Sequence, residues 1–234
     1  MSRVVNANKQ SMRSVNSSIK EMTAEGAVVI QAANHIHGLA AGLRHGDLTI
    51  EGDCGDYLGV LNDGASIHIR GDAGRYLADN MTAGLIIVDG NADYGAGQYC
   101  YGGTLVIHGD AGDFTAVMNK GANILIAGNV GDEVATYMLA GDLVILGDAG
   151  ENLGNYLIRG NIYIGGEWRS LGNNTRIRPL SQHDIEKLQG HFDEFNLQAD
   201  PTTFQKVVRQ SEKPFYKVKE TDELPLHREA IPEV

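Results

Sequence analysis

Beginning at residue 46, short stretches of alternating apolar and polar residues return along the chain at a fixed spacing. Their apolar members are the pairs Leu48/Ile50, Ile67/Ile69, Ile86/Val88, Leu105/Ile107, Ile124/Ile126, Leu143/Ile145 and Ile162/Ile164. A period of two, carried mostly by β-branched residues, predicts short strands that bury one face. Glycine brackets every stretch, as in GDLTIEG, GASIHIRG, GLIIVDG, GTLVIHG, GANILIAG, GDLVILG and GNIYIGG. The closing glycines Gly52, Gly71, Gly90, Gly109, Gly128, Gly147 and Gly166 stand 19 residues apart. A second glycine follows three residues on in most coils, with Asp93 and Arg169 as the exceptions. An internal repeat of this length indicates a solenoid of stacked coils.

One such coil cannot bury its apolar face alone, but stacking coils at about 4.8 Å pairs their backbones in parallel and lines up their side chains in ladders. The glycines suit corners, where the chain needs positive φ or where backbones approach closely. Counting three residues back from the first glycine of each coil gives a second apolar series: Leu43, Leu61, Met81, Cys100, Met118, Met138 and Leu157. The expected fold is all-β, a right-handed single-stranded β-helix of seven coils of about 19 residues, with a small C-terminal helical extension and a tail. The boundaries read as a lead-in segment over 1–26, the β-helix over 27–172, a helical cap over 173–210 and an extended arm over 211–234.

Residues 27–43 read as an irregular first coil, as solenoid ends usually are. In the cap, PLSQHDIEKLQGHFDEF predicts a helix with Ser181 as N-cap, Asp184 completing a capping box, and Ile185, Leu188, Phe192 and Phe195 on one side. Asp200 and Pro201 predict the N-cap and first position of a second short helix, with Phe204 and Val207 as its apolar contacts.

The outward strand positions divide the solenoid in two. Thr49 and His68 are polar, whereas Ile87, Val106, Leu125, Val144 and Tyr163 are apolar, with Ala127 and Leu146 in the neighbouring column. That stripe is about 20 Å long, more than a soluble monomer leaves bare. Either the C-terminal helices fold back over it or it binds another subunit. On the second reading Ile87, Val106, Leu125, Val144, Tyr163 and Leu146, joined by Phe215 and Tyr216 of the arm, form a partner interface.

Composition narrows the function. The 30 acidic and 19 basic residues leave a net charge of −11, which opposes nucleic-acid binding. Two cysteines build no disulfide framework, and no stretch has the length of a membrane span. The N-terminal residues lack the apolar core of a signal peptide, so the expected setting is cytoplasmic.

Chemistry-bearing residues have structural readings. Asp53, Asp72, Asn91, Asp110, Asn129, Asp148 and Glu167 follow the closing glycines, and Asp and Asn there serve the turn backbone better than a metal. His35 and His37 lack a third ligand. Cys100 falls in the apolar ladder and reads as an inert core thiol; Cys54, inside GDCG, reads as an accessible turn residue without a positioned base. No catalytic residue, cofactor site or metal site is expected.

Coils of the form G-x-x-h-x-G-x-x-G, preceded by VNANKQSMRSVNSSI, resemble the GXGXG β-helix domain that ends the large subunit of glutamate synthase. Asn6 or Asn8, with Arg13 and Val15, is similar to that family's Asn-x-x-Arg-x-Val/Gly element, and the resemblance covers about residues 5 to 172. It implies a stand-alone scaffold subunit similar to the middle subunit of N-methylglutamate synthase. The implied partners in such a hetero-oligomer are a class II glutamine amidotransferase-like subunit and an FMN-dependent glutamate synthase-like subunit with iron–sulfur clusters. The family's glutaminase cysteine and its FMN and iron–sulfur ligands lie in other domains, so no cofactor is expected in this chain. After Val208 the sequence VVRQSEKPFYK replaces the family's RYGSARxLYNF-like ending. Formylmethanofuran dehydrogenase has a scaffold-type component that shares the domain, and a place in that complex is the rival reading. A carbohydrate-active β-helix enzyme is a reading of another class, opposed by the lack of an aromatic platform or clustered acid pair on the strand faces.

Overall fold

The computed structural model describes residues 3–212. The solenoid proper stacks seven strands in parallel: β3 (Asp47–Glu51), β4 (Asp63–Ile69), β5 (Ala83–Val88), β6 (Thr104–Ile107), β7 (Lys120–Ile126), β8 (Ala140–Ile145) and β9 (Asn161–Ile164). Their register follows the 19-residue period, so Leu48, Ile67, Ile86, Leu105, Ile124, Leu143 and Ile162 lie on successive rungs of one buried ladder. Ahead of them β1 (Arg3–Asn6) and β2 (Val28–Gln31) extend the sheet, also in parallel. Thus residues 27–43 do form a first coil.

A second inward column comes from the turn after each closing glycine. Cys54, Ala73, Ala92, Ala111, Val130, Ala149 and Trp168 bridge in parallel from coil to coil. The first six are buried, and small side chains dominate because this turn runs close to the facing strand ladder.

The third column corrects the count made from the first glycines. The inward series is Leu43, Asn62, Met81, Cys100, Asn119, Met138 and Leu157, all buried and all 19 residues apart. Leu61 points outward and is 56% exposed, and Met118 is half-buried. GASIHIRG and GANILIAG are one residue longer than the other brackets, and the register shifts beside Asp63 and Lys120 absorb the extra residue. Ala65 and Ala122 therefore take the place of the first glycine. Asn119 Nδ2 donates to the carbonyl of Ala122 at 2.9 Å, and its Oδ1 accepts from the Ala122 N–H at 2.9 Å; Asn62 does the same at Ala65. A buried amide with both ends satisfied holds the bulged corner.

From Gly71 onward the closing glycines are required by close approach, and Gly52 by its φ of 90°. At Gly71 and Gly147 a Cβ would lie 2.5 Å from the side-chain oxygen of Asp53 and Asn129 in the preceding coil. Elsewhere the chain accepts left-handed backbone without glycine. Tyr57, Leu61, Tyr76, Ala78 and Asn80 all have φ between 57 and 59°. Such conformations cost roughly 1–2 kcal/mol each. Coil-to-coil hydrogen bonds offset that cost, such as Tyr57 N–H to Arg75 O at 2.8 Å and Ala78 N–H to Leu58 O at 2.9 Å.

Both ends are capped. At the first, α1 (Met12–Thr23) starts at the N-cap Ser11 and buries Val15 and Ile19. Its Asn16 donates to Gly38 O and accepts from Ala40 N–H, each at 2.8 Å, which pins the helix to the first coil. At the other end α2 (Gln182–Phe195) has the expected capping box between Ser181 and Asp184. The second helix expected at Asp200 is only a 3-10 turn, Pro201–Thr203, although Asp200 caps it as expected. The chain then enters β11 (Gln205–Arg209), which lies antiparallel between β9 and β10 (Thr175–Arg178). Val207 is therefore a strand residue, fully buried over the last coil. The 173–210 segment is a mixed strand and helix cap.

Candidate partner-binding surfaces

The apolar stripe is not an open face. Val106, Leu125, Val144 and Tyr163 are buried in a cluster with Leu188 and Phe192 of α2, and with Leu197 and Phe204 beyond it. Ile87 and Leu146 are half-buried at its margin. This corrects the partner-interface assignment for Val106, Leu125, Val144 and Tyr163. The apolar side of α2 supplies the cover, because helix and stripe each have a face to remove from water. Phe215 and Tyr216 lie outside the described residues.

Polar contacts fix α2 in place. The Tyr163 hydroxyl donates to Asp184 Oδ1 at 2.7 Å, and Lys206 Nζ of β11 reaches the same oxygen at 2.6 Å. Ser181 N–H donates to the other carboxylate oxygen at 2.9 Å. Burial works against the Asp184 charge, but these donors outweigh it, with Lys206 foremost, and hold its carboxyl well below the usual range. Burial pushes the Tyr163 phenol up, and its hydrogen bond to Asp184 adds to the rise. A second clamp joins Lys187 of α2 to Asp142 of β8 at 2.8 Å.

The acid and amide column serves the turn backbone. Asp53, Asp72, Asn91, Asp110, Asn129 and Asp148 each present Oδ1 to the N–H of the equivalent residue one coil on, at 2.6 to 2.9 Å. A parallel column does the same from Asp56 to Arg75, Asp113 to Asp132 and Asp132 to Glu151. His37 occupies the top of that second column, its Nδ1 accepting from Asp56 N–H at 2.9 Å. Among the described residues, no group of three or more His, Cys, Asp or Glu side chains is arranged to hold a metal ion. Beside these columns lies an open cleft of about 470 Å³, bordered by Asp132, Asp148, Glu167, Trp168 and Arg169.

Cys100 sits in the inner column, its thiol directed at Ala78 O at 3.1 Å. Cys54 is buried too, contrary to the accessible turn position expected from GDCG, because the second residue after each closing glycine faces inward throughout the solenoid. Burial pushes both thiols up to about 12, which removes the thiolate that nucleophilic chemistry needs.

The open flank is the turn side, which sequence reasoning passed over. Tyr57 and Tyr76 stack with centroids 4.8 Å apart, Tyr76 meets Tyr94 at 5.6 Å, and Tyr94 meets Phe114 at 5.1 Å. Further along, Tyr137 and Tyr156 stack at 5.4 Å. Between the two groups Lys120 lies 4.0 Å above the Tyr101 ring and 5.6 Å from that of Tyr99. Tyr57, Leu61 and Tyr101 are 40%, 56% and 55% exposed. Tyr57, Tyr76 and Phe114 share one position of the 19-residue coil, with Tyr94 one residue off it, and Leu61, Tyr99, Tyr137 and Tyr156 share another four residues on, so the flank carries two columns. The signal was available in the 19-residue spacings of Tyr57/Tyr76 and Tyr137/Tyr156. In the stacked pairs one face of each ring is taken by its neighbour.

These features define a solenoid whose core is capped at both ends, with aromatic stacks along its turn side. The chain belongs to the GXGXG motif family, which matches residues 2–218. The match passes through α2 and β11, beyond residue 172, where the repeat itself stops. No curated protein matches the sequence. Among solved structures, the chain is similar to a chain of the formyltransferase/hydrolase complex (FhcABCD) from Methylorubrum extorquens in complex with methylofuran. That likeness has a TM-score of 0.51 and 27% identity, and covers 66% of this chain and 68% of the other. No described helix is long and apolar enough to cross a membrane.

Proposed function

We propose that this chain is a scaffold subunit of a multisubunit complex, with bond-making chemistry supplied by its partners. The observation that carries this reading is the pair of aromatic stacks on the turn side, at two positions of the coil, mounted on a backbone hydrogen-bonded from coil to coil. Tyrosine supplies large contact area with few rotamers to immobilise, and it is enriched at protein interfaces. A solenoid is stiff along its axis, so two partners on such a flank keep a fixed separation.

The finer reading is a complex of the glutamate synthase type. The partners would be a class II glutamine amidotransferase-like subunit and an FMN- and iron–sulfur-containing synthase-like subunit. Membership of the GXGXG family and the VNANKQSMRSVNSSI lead-in support it. A second reading, a subunit of a formylmethanofuran dehydrogenase-like complex, is favoured by the likeness to the formyltransferase/hydrolase complex. Purification of the tagged chain from its native cells distinguishes them. Co-purified flavin absorbance with an amidotransferase supports the first, and formyltransferase- and hydrolase-type companions support the second. A chain that elutes alone, with Tyr57→Ala/Tyr76→Ala eluting identically, refutes the scaffold role.

A further inference from the structure

The last rung of the sheet is open. β10 ends the strand order, with β11 on one side of it, and its other edge makes no backbone hydrogen bond to a described residue. All but the first of its four residues are exposed. An uncovered edge of this kind pairs readily with an added strand.

Across the face of β9, β11 and β10, inward of that edge, lies an open cleft of about 470 Å³ bordered by Arg159, Arg176, Arg178 and Arg209, with Glu212 at its rim. Arg209 is engaged, donating to Glu212 at 2.9 Å and to Ile158 O at 3.3 Å. The guanidinium groups of Arg159, Arg176 and Arg178 have no hydrogen bond or ion pair with a described residue. Elsewhere Arg3, Arg44, Arg70, Arg75 and Arg169 each face a carboxylate. In a chain of net charge −11, unpaired guanidinium groups gathered at one site repel each other without local compensation.

Arg176 and Arg178 alternate with Ile177, so both extend from one face of β10, about 7 Å apart along the strand. Carboxylates at alternate positions of an extended peptide share that spacing. A small anion would meet one of these arginines; a strand laid along the edge meets both and satisfies the open backbone as well.

We propose that β10 receives an extended acidic segment of a partner protein, added as a further strand with alternate carboxylates on Arg176 and Arg178. The idea rests on the chain being a subunit of an assembly, but its test needs no assembly, so the two can fail separately. The probe is a fluorescein-labelled octapeptide alternating Glu and Val, titrated into the full chain at low salt and followed by fluorescence polarisation. The expected result is saturable binding that weakens steeply with added salt. Arg176→Gln/Arg178→Gln should weaken it at least tenfold with the far-UV spectrum and melting temperature unchanged. Methylating alternate peptide nitrogens, which removes the edge hydrogen bonds, should weaken it as much. No binding by the full chain overturns the proposal. So does equal binding of the methylated peptide, or displacement by pyrophosphate at matching concentration, which marks a small-anion site. Binding that appears only when the chain is ended at Glu212 also overturns it, by assigning the cleft to the protein's own C-terminal residues.

Discussion

Replacing Asp184 with Ala tests how the cap is held. The substitution removes the acceptor for Tyr163 and Lys206 and half of the capping box with Ser181. The Asp184 side chain is 5% exposed and that of Lys206 17%, so the lysine is left with little water. Breaking a buried pair from one side costs about 3–5 kcal/mol. Lys206 can recover part of this by swinging outward, which puts the expected loss near the lower figure, about 3 kcal/mol. Urea unfolding followed by circular dichroism reads the total. Hydrogen exchange over residues 182–195 reads its location, with protection expected to fall in α2 and to persist in β5 to β7. An apolar dye should bind as Val106 and Leu125 become uncovered. Adding Lys206→Met should restore most of the loss, because no charge is then stranded. The pH dependence has a definite sign. The folded carboxyl is held below its ordinary value, so its contribution is complete above about pH 4 and is lost as pH falls below that. Asp184→Ala should lose less stability over that same fall. A loss under 1 kcal/mol, or α2 amides as protected as before, would refute the clamp.

Three further outcomes follow from the coil interior. Cys54 and Cys100, with thiols near 12, carry about one part in ten thousand thiolate at pH 8; a disulfide reagent should label them only as fast as the protein unfolds, and labelling at the rate of a free thiol contradicts their burial. Gly128→Ala places a methyl against Asp110 Oδ1 and 2.6 Å from Gly109 O; the expected loss is about 2 kcal/mol or more in thermal unfolding, and a neutral result means the coils can separate locally at no cost. Asn119→Leu leaves the Ala122 N–H and C=O unpaired and should cost about 2 kcal/mol, against under about 1.5 kcal/mol for Met138→Leu one coil on; equal losses show that the amide is not holding the corner.

The strand ladders were legible because apolar alternation and a 19-residue period express the same burial on every coil. Ser181 and Asp184 were legible for a similar reason: a capping box is local. Leu61 was misplaced because a one-residue bulge shifts the corner, and the compensating signal, Asn62 and Asn119 at the inward position, looks polar until its backbone partners are known. Cys54 was misread because a glycine-flanked turn ordinarily faces water, whereas here it lines the core. The stripe from Val106 to Tyr163 was recognised as needing cover, but only the tertiary return of α2 decides what covers it. The tyrosine columns escaped notice because they lie on left-handed turn residues, where neither strand nor helix periodicity applies.

The side-chain ladder from Asp53 to Glu167 also gives the solenoid a direction. Through these side chains each coil hands an acceptor forward to its successor, while the backbone carbonyls of the same residues, such as Asp72 and Asn91, accept from the coil before. In polymer terms the two ends are unlike: a coil added after the last finds side-chain acceptors waiting, and one added before the first finds backbone carbonyls. A structure that extends by copying itself must also be told to stop. Reversal of chain direction at β11 does this, setting an antiparallel strand on β9 in the place of another parallel coil.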